Sequence, residues 1–299
     1  MLVAQADGIV LGINVELQLC WAAITLCIQS DLHDCMPARY DSLLPVSSPA
    51  VSATAAYFLG VPQHVLPEAG ASPTLHIVRV TVGDMVARLL PVHLGRLNGT
   101  ALAADGSAPL LLPSENAQDD AAGVNVLLVR MIGGLAAVRV QDDAQSASFE
   151  LLWQVSLAQA AEAPEAESAS SDTPSAGLVL DPRGGVWVPV GARGTTLRRI
   201  ATADGSTLDE IALSDLGLGA PLTRPLVVGA PVAGGLALLA SFGTAAGGCA
   251  FGGIGLDDGK LWWRQDGLCA AGQAAVIGKS TLVFGTRSDG VVALGEKPN

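Results

Sequence analysis

Leu256-Asp257-Asp258-Gly259-Lys260-Leu261-Trp262-Trp263-Arg264 is the stretch on which the reading of this chain turns. An apolar strand runs into Asp257, Gly259 turns the chain, and a Lys-Leu-Trp strand leaves. Glycine supplies the positive φ that a tight reversal needs. A large ring on an outermost strand can lie across a neighbouring sheet and lock the two together. Weaker copies occur at Val82-Gly83-Asp84-Met85-Val86-Ala87-Arg88 and Ala203-Asp204-Gly205-Ser206-Thr207-Leu208-Asp209-Glu210-Ile211, both without tryptophan. Leu151-Leu152-Trp153-Gln154 and Leu19-Cys20-Trp21-Ala22 keep the tryptophan strand without a clean turn.

The pattern extends outward from that copy. Apolar runs such as Ala55-Ala56-Tyr57-Phe58-Leu59-Gly60-Val61 and Val124-Asn125-Val126-Leu127-Leu128-Val129 are short and bounded by Gly, Asp, Ser or Pro. They read as strands between turns, and no long stretch carries apolar residues at helical spacing. The class is all-β. Asp7-Gly8 and Asp105-Gly106 lie 98 positions apart, Gly184 and Gly234 lie 50 apart, and Gly234 and Asp289 lie 55 apart. The longer interval from Asp105 to Gly184 contains an Ala-, Glu-, Ser- and Pro-rich insertion at 158–175. That segment has no hydrophobic periodicity to offset its ordering entropy, so it is expected to be disordered. Units of about 50 residues with four strands each match a β-propeller blade. The expected architecture is a single propeller domain, residues 1–299, of about six four-stranded blades. The first unit is expected to lack its inner strand and the last its outer one.

The Asp-x-Gly-Lys-x-x-Trp pattern, in units of this length, resembles the PQQ-like (quinoprotein dehydrogenase-like) β-propeller superfamily. The likeness is clearest from Pro174 to Leu294. It implies that Trp263, then Trp153 and Trp21, dock each blade on its neighbour, with Asp257 and Gly259 shaping the turn. If the Trp263 ring is buried between blades, Trp263→Ala is expected to cost about 3–5 kcal/mol. The resemblance also implies a choice between two functions. The quinone-dependent dehydrogenases of the superfamily are longer, have eight blades and carry a vicinal cysteine pair beside the cofactor, and this chain has no such pair. Noncatalytic members serve as scaffolds and sensors, including an outer-membrane protein assembly lipoprotein.

Composition narrows the field further. The 28 acidic residues outnumber 16 basic ones, for a net charge of −12, the wrong sign for tracking phosphates. Aromatic residues make up only 4%, too few for base-stacking platforms. No apolar run reaches the roughly 18 residues of a membrane span. Residues 1–10 have neither a basic start nor a long enough apolar run to be a signal peptide, so export would require a signal outside this sequence.

The five cysteines form no C-x-x-C unit. Cys27 with Cys35, and Cys249 with Cys269, are spaced for two local disulfides, leaving Cys20 over; five reduced thiols acting as small hydrophobes are the alternative. Asp31-Leu32-His33-Asp34-Cys35 gathers potential metal ligands, but adjacent side chains rarely converge on one centre. His76 alternates with apolar neighbours as an outward strand residue does. Gly217-Leu218-Gly219, Gly247-Gly248 and Gly252-Gly253 do not lead from a strand into a helix, as a phosphate cradle would. Carboxylate pairs such as Asp257-Asp258 sit in turns, where aspartate bonds its own backbone.

The sequence therefore predicts no catalytic, cofactor or metal residue. It predicts a noncatalytic, periplasmic or extracellular propeller presenting blade loops to a protein partner. The alternative is a small-ligand-binding or dehydrogenase-like enzyme using the central funnel.

Overall fold

A computed structural model describes residues 2–4, 10–13, 19–23, 43–45, 47, 50–51, 55–62, 76–81, 87–90, 107–112, 124–131, 133–142, 147–157, 177–191, 194–229, 235–271, 274–277, 281–286 and 290–295. The segment 158–175, Cys27, Cys35, His33 and Asp7-Gly8 lie outside these residues. The chain divides into two compact units, Met1–Ser156 and Leu157–Asn299.

Within the first unit, sheet I holds β1 (Leu2–Ala4), β2 (Val10–Ile13) and β3 (Leu19–Ala23). Sheet II holds β4 (Leu43–Pro45), β5 (Ala50–Val51), β6 (Ala55–Pro62), β7 (His76–Thr81) and β8 (Ala87–Leu90). Sheet III holds β9 (Leu110–Leu112), β10 (Val124–Met131), β11 (Gly134–Asp142) and β12 (Ala147–Ser156). The core of this unit lies between sheets II and III. Tyr57, Leu59 and Ile77 pack there against Leu127, Val129 and Val138, all fully buried. The amide of Asn125 donates to the Tyr57 hydroxyl at 3.2 Å across the same seam.

Within the second unit, sheet IV holds β13 (Val179–Leu180), β14 (Val186–Val190), β15 (Thr196–Ile200) and β16 (Thr207–Ala212). Sheet V holds β17 (Leu218–Pro221), β18 (Leu226–Gly229), β19 (Leu236–Thr244), β20 (Cys249–Gly255) and β21 (Leu261–Asp266). Sheet VI holds β22 (Ala275–Ile277), β23 (Thr281–Gly285) and β24 (Val291–Leu294). A 3-10 turn, Leu213–Leu216, leads from sheet IV into sheet V and ends on Gly217 at φ 69°. Every residue of β14 and β20 is buried. Strands covered on both faces read as continuous apolar runs, which Val186-Trp187-Val188-Pro189-Val190 is. The last strands, β16 and β21, are largely exposed.

Each of the six sheets is antiparallel and built from one contiguous stretch of chain, and sheets I and VI have three strands among the described residues. A repeat invisible in the sequence runs through four of them. A register shift interrupts β2–β3 at Gly12/Ile13, β11–β12 at Ala137/Val138, β15–β16 at Arg199/Ile200 and β20–β21 at Gly253/Ile254. Each is a β-bulge that admits one extra residue into the last strand. Beyond it, Trp21 pairs with Gly12, Trp153 with Ala137 and Trp263 with Gly253, so the three tryptophans share one position. Asp209 holds that position in sheet IV, opposite Arg199.

The Asp-Gly turns are less regular than the spacing suggested. Asp181-Pro182-Arg183-Gly184-Gly185 joins the first two strands of sheet IV, whereas Gly290 sits between β23 and β24, the second and third of sheet VI. A tight reversal favours Asp-Gly wherever it falls, so these turns do not mark one point of the repeat.

Candidate functional site

The most concentrated polar chemistry among the described residues lies on the seam between sheets IV and V. It starts from the turn 181–185. The backbone N–H of Gly184 donates to the Asp181 carbonyl at 3.0 Å and that of Asp181 to the Gly185 carbonyl at 3.0 Å, with Gly184 and Gly185 at φ 91° and 107°. A Cβ on Gly185 would lie 2.9 Å from the Ile200 carbonyl oxygen, so only glycine fits there. The closed turn points the Asp181 carboxylate inward, where its side chain has no exposure.

Five donors meet that carboxylate. Oδ1 accepts from the Arg183 backbone N–H at 2.9 Å and from Arg183 Nε at 3.0 Å. Oδ2 accepts from Arg183 Nη2 at 2.7 Å, Trp187 Nε1 at 3.0 Å and Arg199 Nη1 at 3.4 Å. The Arg199 guanidinium also stands 5.9 Å from the centroid of the fully buried Trp187 ring. Arg183 then crosses the seam, pairing through Nη1 with Asp257 Oδ1 and donating from Nη2 to the Leu256 carbonyl at 3.5 Å. Burial pushes the Asp181 carboxyl up, but the hydrogen bonds from Arg183 and Trp187 and the arginine's charge outweigh it and leave the group below the ordinary carboxylate range. The same partnership raises the Arg183 guanidinium. A carboxylate offers about four lone-pair sites, and here all are taken by the chain's own donors. Asp181 has none left with which to act as a base.

Around this network the seam is apolar. Trp187, Leu197 and Ile211 from sheet IV pack against Leu218, Leu238, Phe242 and Ile254 from sheet V.

The residues singled out by the sequence are placed as follows. Asp257 is exposed, at 53% of its side chain, and anchors Arg183 while its Oδ2 accepts from the Leu236 backbone N–H at 3.4 Å. Gly259 takes φ +65° and closes the turn by donating to the Gly255 carbonyl at 2.9 Å. Trp263 is 37% exposed, its ring 5.7 Å from that of Phe251 in the same sheet. Trp153 is half-buried on β12, and Trp21 lies on β3. The glycines of β20 make room for the outer indoles: a Cβ on Gly253 would come within 2.6 Å of Trp263 Nε1, and one on Gly255 would collide with Trp262. With over a third of its surface in water, Trp263→Ala is expected to cost about 2 kcal/mol in urea unfolding, less than a sealed indole. Among the described residues the fully buried indole is Trp187, which no copy of the motif marked.

Cys249 and Cys269 are joined by a disulfide with their Cα atoms 5.5 Å apart. The bridge lines a cavity of about 560 Å³ with Gly217, Thr244, Gly248 and Arg264. Arg264 is held by Asp266 Oδ1 at 2.6 Å and by the Gly217 carbonyl at 3.1 Å. Among the described residues no three His, Cys, Asp or Glu side chains are grouped to hold a metal. No helix among them is long and apolar enough to cross a membrane.

No family model matches the chain, and no curated protein matches it. Solved structures do. The crystal structure of BamB from Moraxella catarrhalis superposes with a TM-score of 0.54 and 12% identity, over 99% of this chain and 69% of that one. The fold is a β-propeller. A computationally designed protein, Ika8, aligns over 99% of this chain and 92% of its own at 12% identity, with a TM-score of 0.34. Within the second unit the Asp181 network is a clamp between sheets IV and V.

Proposed function

We propose that this chain is a noncatalytic propeller of the PQQ-like kind, that residues 1–299 act as one domain, and that it works outside the cytoplasm by presenting blade loops to a protein partner. The observation that carries the reading is the saturation of Asp181. The strongest gathering of charge in the second unit is spent on joining sheet IV to sheet V, with each carboxylate oxygen held by arginine or indole donors. Catalytic carboxylates keep a free lone pair or a shifted proton for substrate; this one is tied in the charged form. The Cys249–Cys269 bridge favours an oxidising compartment, where such bonds persist. The blade-docking role of Trp263, Trp153 and Trp21, and a second bridge between Cys27 and Cys35, belong to the same proposal.

Two measurements on protein from its native host test it. Intact mass before and after reduction is expected to differ by about 2 Da for each bridge; five free thiols would remove the extracytoplasmic placement. Titration with pyrroloquinoline quinone is expected to leave tryptophan fluorescence unchanged. A saturable quench would overturn the noncatalytic reading and install a ligand-binding funnel.

A further inference from the structure

We infer that the Cys249–Cys269 bridge is a site of thiol–disulfide exchange, entered by a small thiol at Cys269, and that its state controls how firmly sheet VI is held to sheet V. The inference goes beyond partner binding and rests on the position of the bridge alone.

The two sulfurs are placed unequally. Cys249 opens the wholly buried strand β20 and is 6% exposed, and its carbonyl is capped by the Gly267 N–H at 2.9 Å. Cys269 sits in the connection after β21 and is half-buried, so of the two cysteines that line the 560 Å³ cavity it is the more accessible. The cavity wall is made largely of small residues, Gly217, Ala245, Ala246 and Gly248 among them, which leaves a path for a thiol of modest size. Exchange needs a thiolate to reach one sulfur with the other as leaving group. Here the thiolate attacks Cys269 Sγ, the S–S bond breaks, and the electron pair leaves on Cys249 Sγ, which takes a proton from water. A second thiol then attacks the outer sulfur of the mixed disulfide. It departs as the oxidised thiol dimer and leaves Cys269 reduced. Two electrons enter the protein and two small thiols are oxidised.

The bridge stands where the chain passes from sheet V to sheet VI. Immediately after Cys269, Ala270 donates to the buried Ser241 hydroxyl of β19 at 3.3 Å and forms an antiparallel bridge with Thr286. Ala271 donates to the Gly285 carbonyl at 2.8 Å. Among the described residues sheet VI has three strands, of three, five and four residues. Its buried contact with sheet V is made mainly by Leu282 and Phe284, the latter stacked on Phe251 at 4.3 Å between ring centroids. A sheet this small and this shallowly seated draws its order from its anchor, and the disulfide is the covalent part of that anchor.

The test is amide hydrogen exchange on the full chain, with the bridge first verified by mass, across a titration with reduced glutathione. A Cys269 adduct is expected as the intermediate. On full reduction, exchange in 281–294 is expected to quicken by about tenfold or more, with 186–212 changed by less than about threefold. Cys269→Ser is expected to reproduce that pattern without any thiol. Exchange unchanged on full reduction, or quickened equally in sheets IV, V and VI, would overturn the inference. So would an adduct found only on Cys249, or protein with no bridge to reduce. Absence of the bridge would also remove the compartment argument, whereas an unaltered exchange pattern would leave it standing.

Discussion

Trp187→Ala is expected to lower the unfolding free energy by about 3–5 kcal/mol, the largest loss from any single aromatic residue in the second unit. The indole has no exposure and lies among Leu197, Leu213, Leu238 and Phe242, so its removal opens a cavity between two close-packed sheets. The change also takes from Asp181 one of its donors, at 3.0 Å, inside a site water does not reach. The lost hydrogen bond to a buried, charged acceptor accounts for about 1.5–3 kcal/mol of that total. Trp187→Phe keeps most of the volume and loses the donor, and is expected to cost roughly half as much. Urea unfolding of the three proteins separates the two contributions. A loss below about 1.5 kcal/mol for the alanine variant would mean that the two sheets are not held through this ring.

Asp181→Asn tests the other half of the clamp. It preserves shape but removes the charge that gathers Arg183, Arg199 and Trp187. Breaking a buried pair from one side leaves its partner uncompensated, and the expected cost is about 3–5 kcal/mol. The effect carries a pH signature. The folded carboxyl is held below its ordinary value. A carboxyl depressed on folding adds stability above its unfolded pKa, and that stability is lost as pH falls toward the folded value. The native protein is thus expected to lose stability steeply below about pH 4, and the asparagine variant to lack that component. Parallel acid profiles for the two proteins would show that the carboxylate is not the titrating group that matters.

Much of the architecture was legible in the residues, and for simple reasons. Short apolar runs punctuated by Gly and Asp can form little but strands and turns, and the 50-residue spacing carried over to six contiguous sheets. The sharp copy at Leu256–Arg264 does make a turn and an outgoing strand, with Gly259 at positive φ and Asp257 accepting from across the seam. The tryptophan rule was partly legible: Trp21, Trp153 and Trp263 do share a register position. What could not be read was which side chain seals the seam. Trp187 lies inside an unbroken apolar strand, where one more large residue gives no signal, and its role depends on a carboxylate six positions earlier. In the Asp181-Pro182-Arg183-Gly184-Gly185 turn, the sequence spacing marks only Gly184. That the turn also carries the charged clamp follows only from three-dimensional closure, because Arg183 and Asp257 are 74 residues apart. The bulges left no trace either, since one extra residue in a strand changes no composition.

That separation has a consequence for the order of events in folding. Among the described residues, almost all pairing is between strands close along the chain, so each sheet closes small loops and loses little chain entropy in doing so. The Arg183–Asp257 contact must instead wait until an intervening stretch as long as a sheet and a half has found its place. Sheets IV and V can therefore each assemble early and alone. Their joining is expected to come late, and a chain halted before it is expected to show native-like strands with Trp187 still exposed to water, which stopped-flow tryptophan fluorescence would detect.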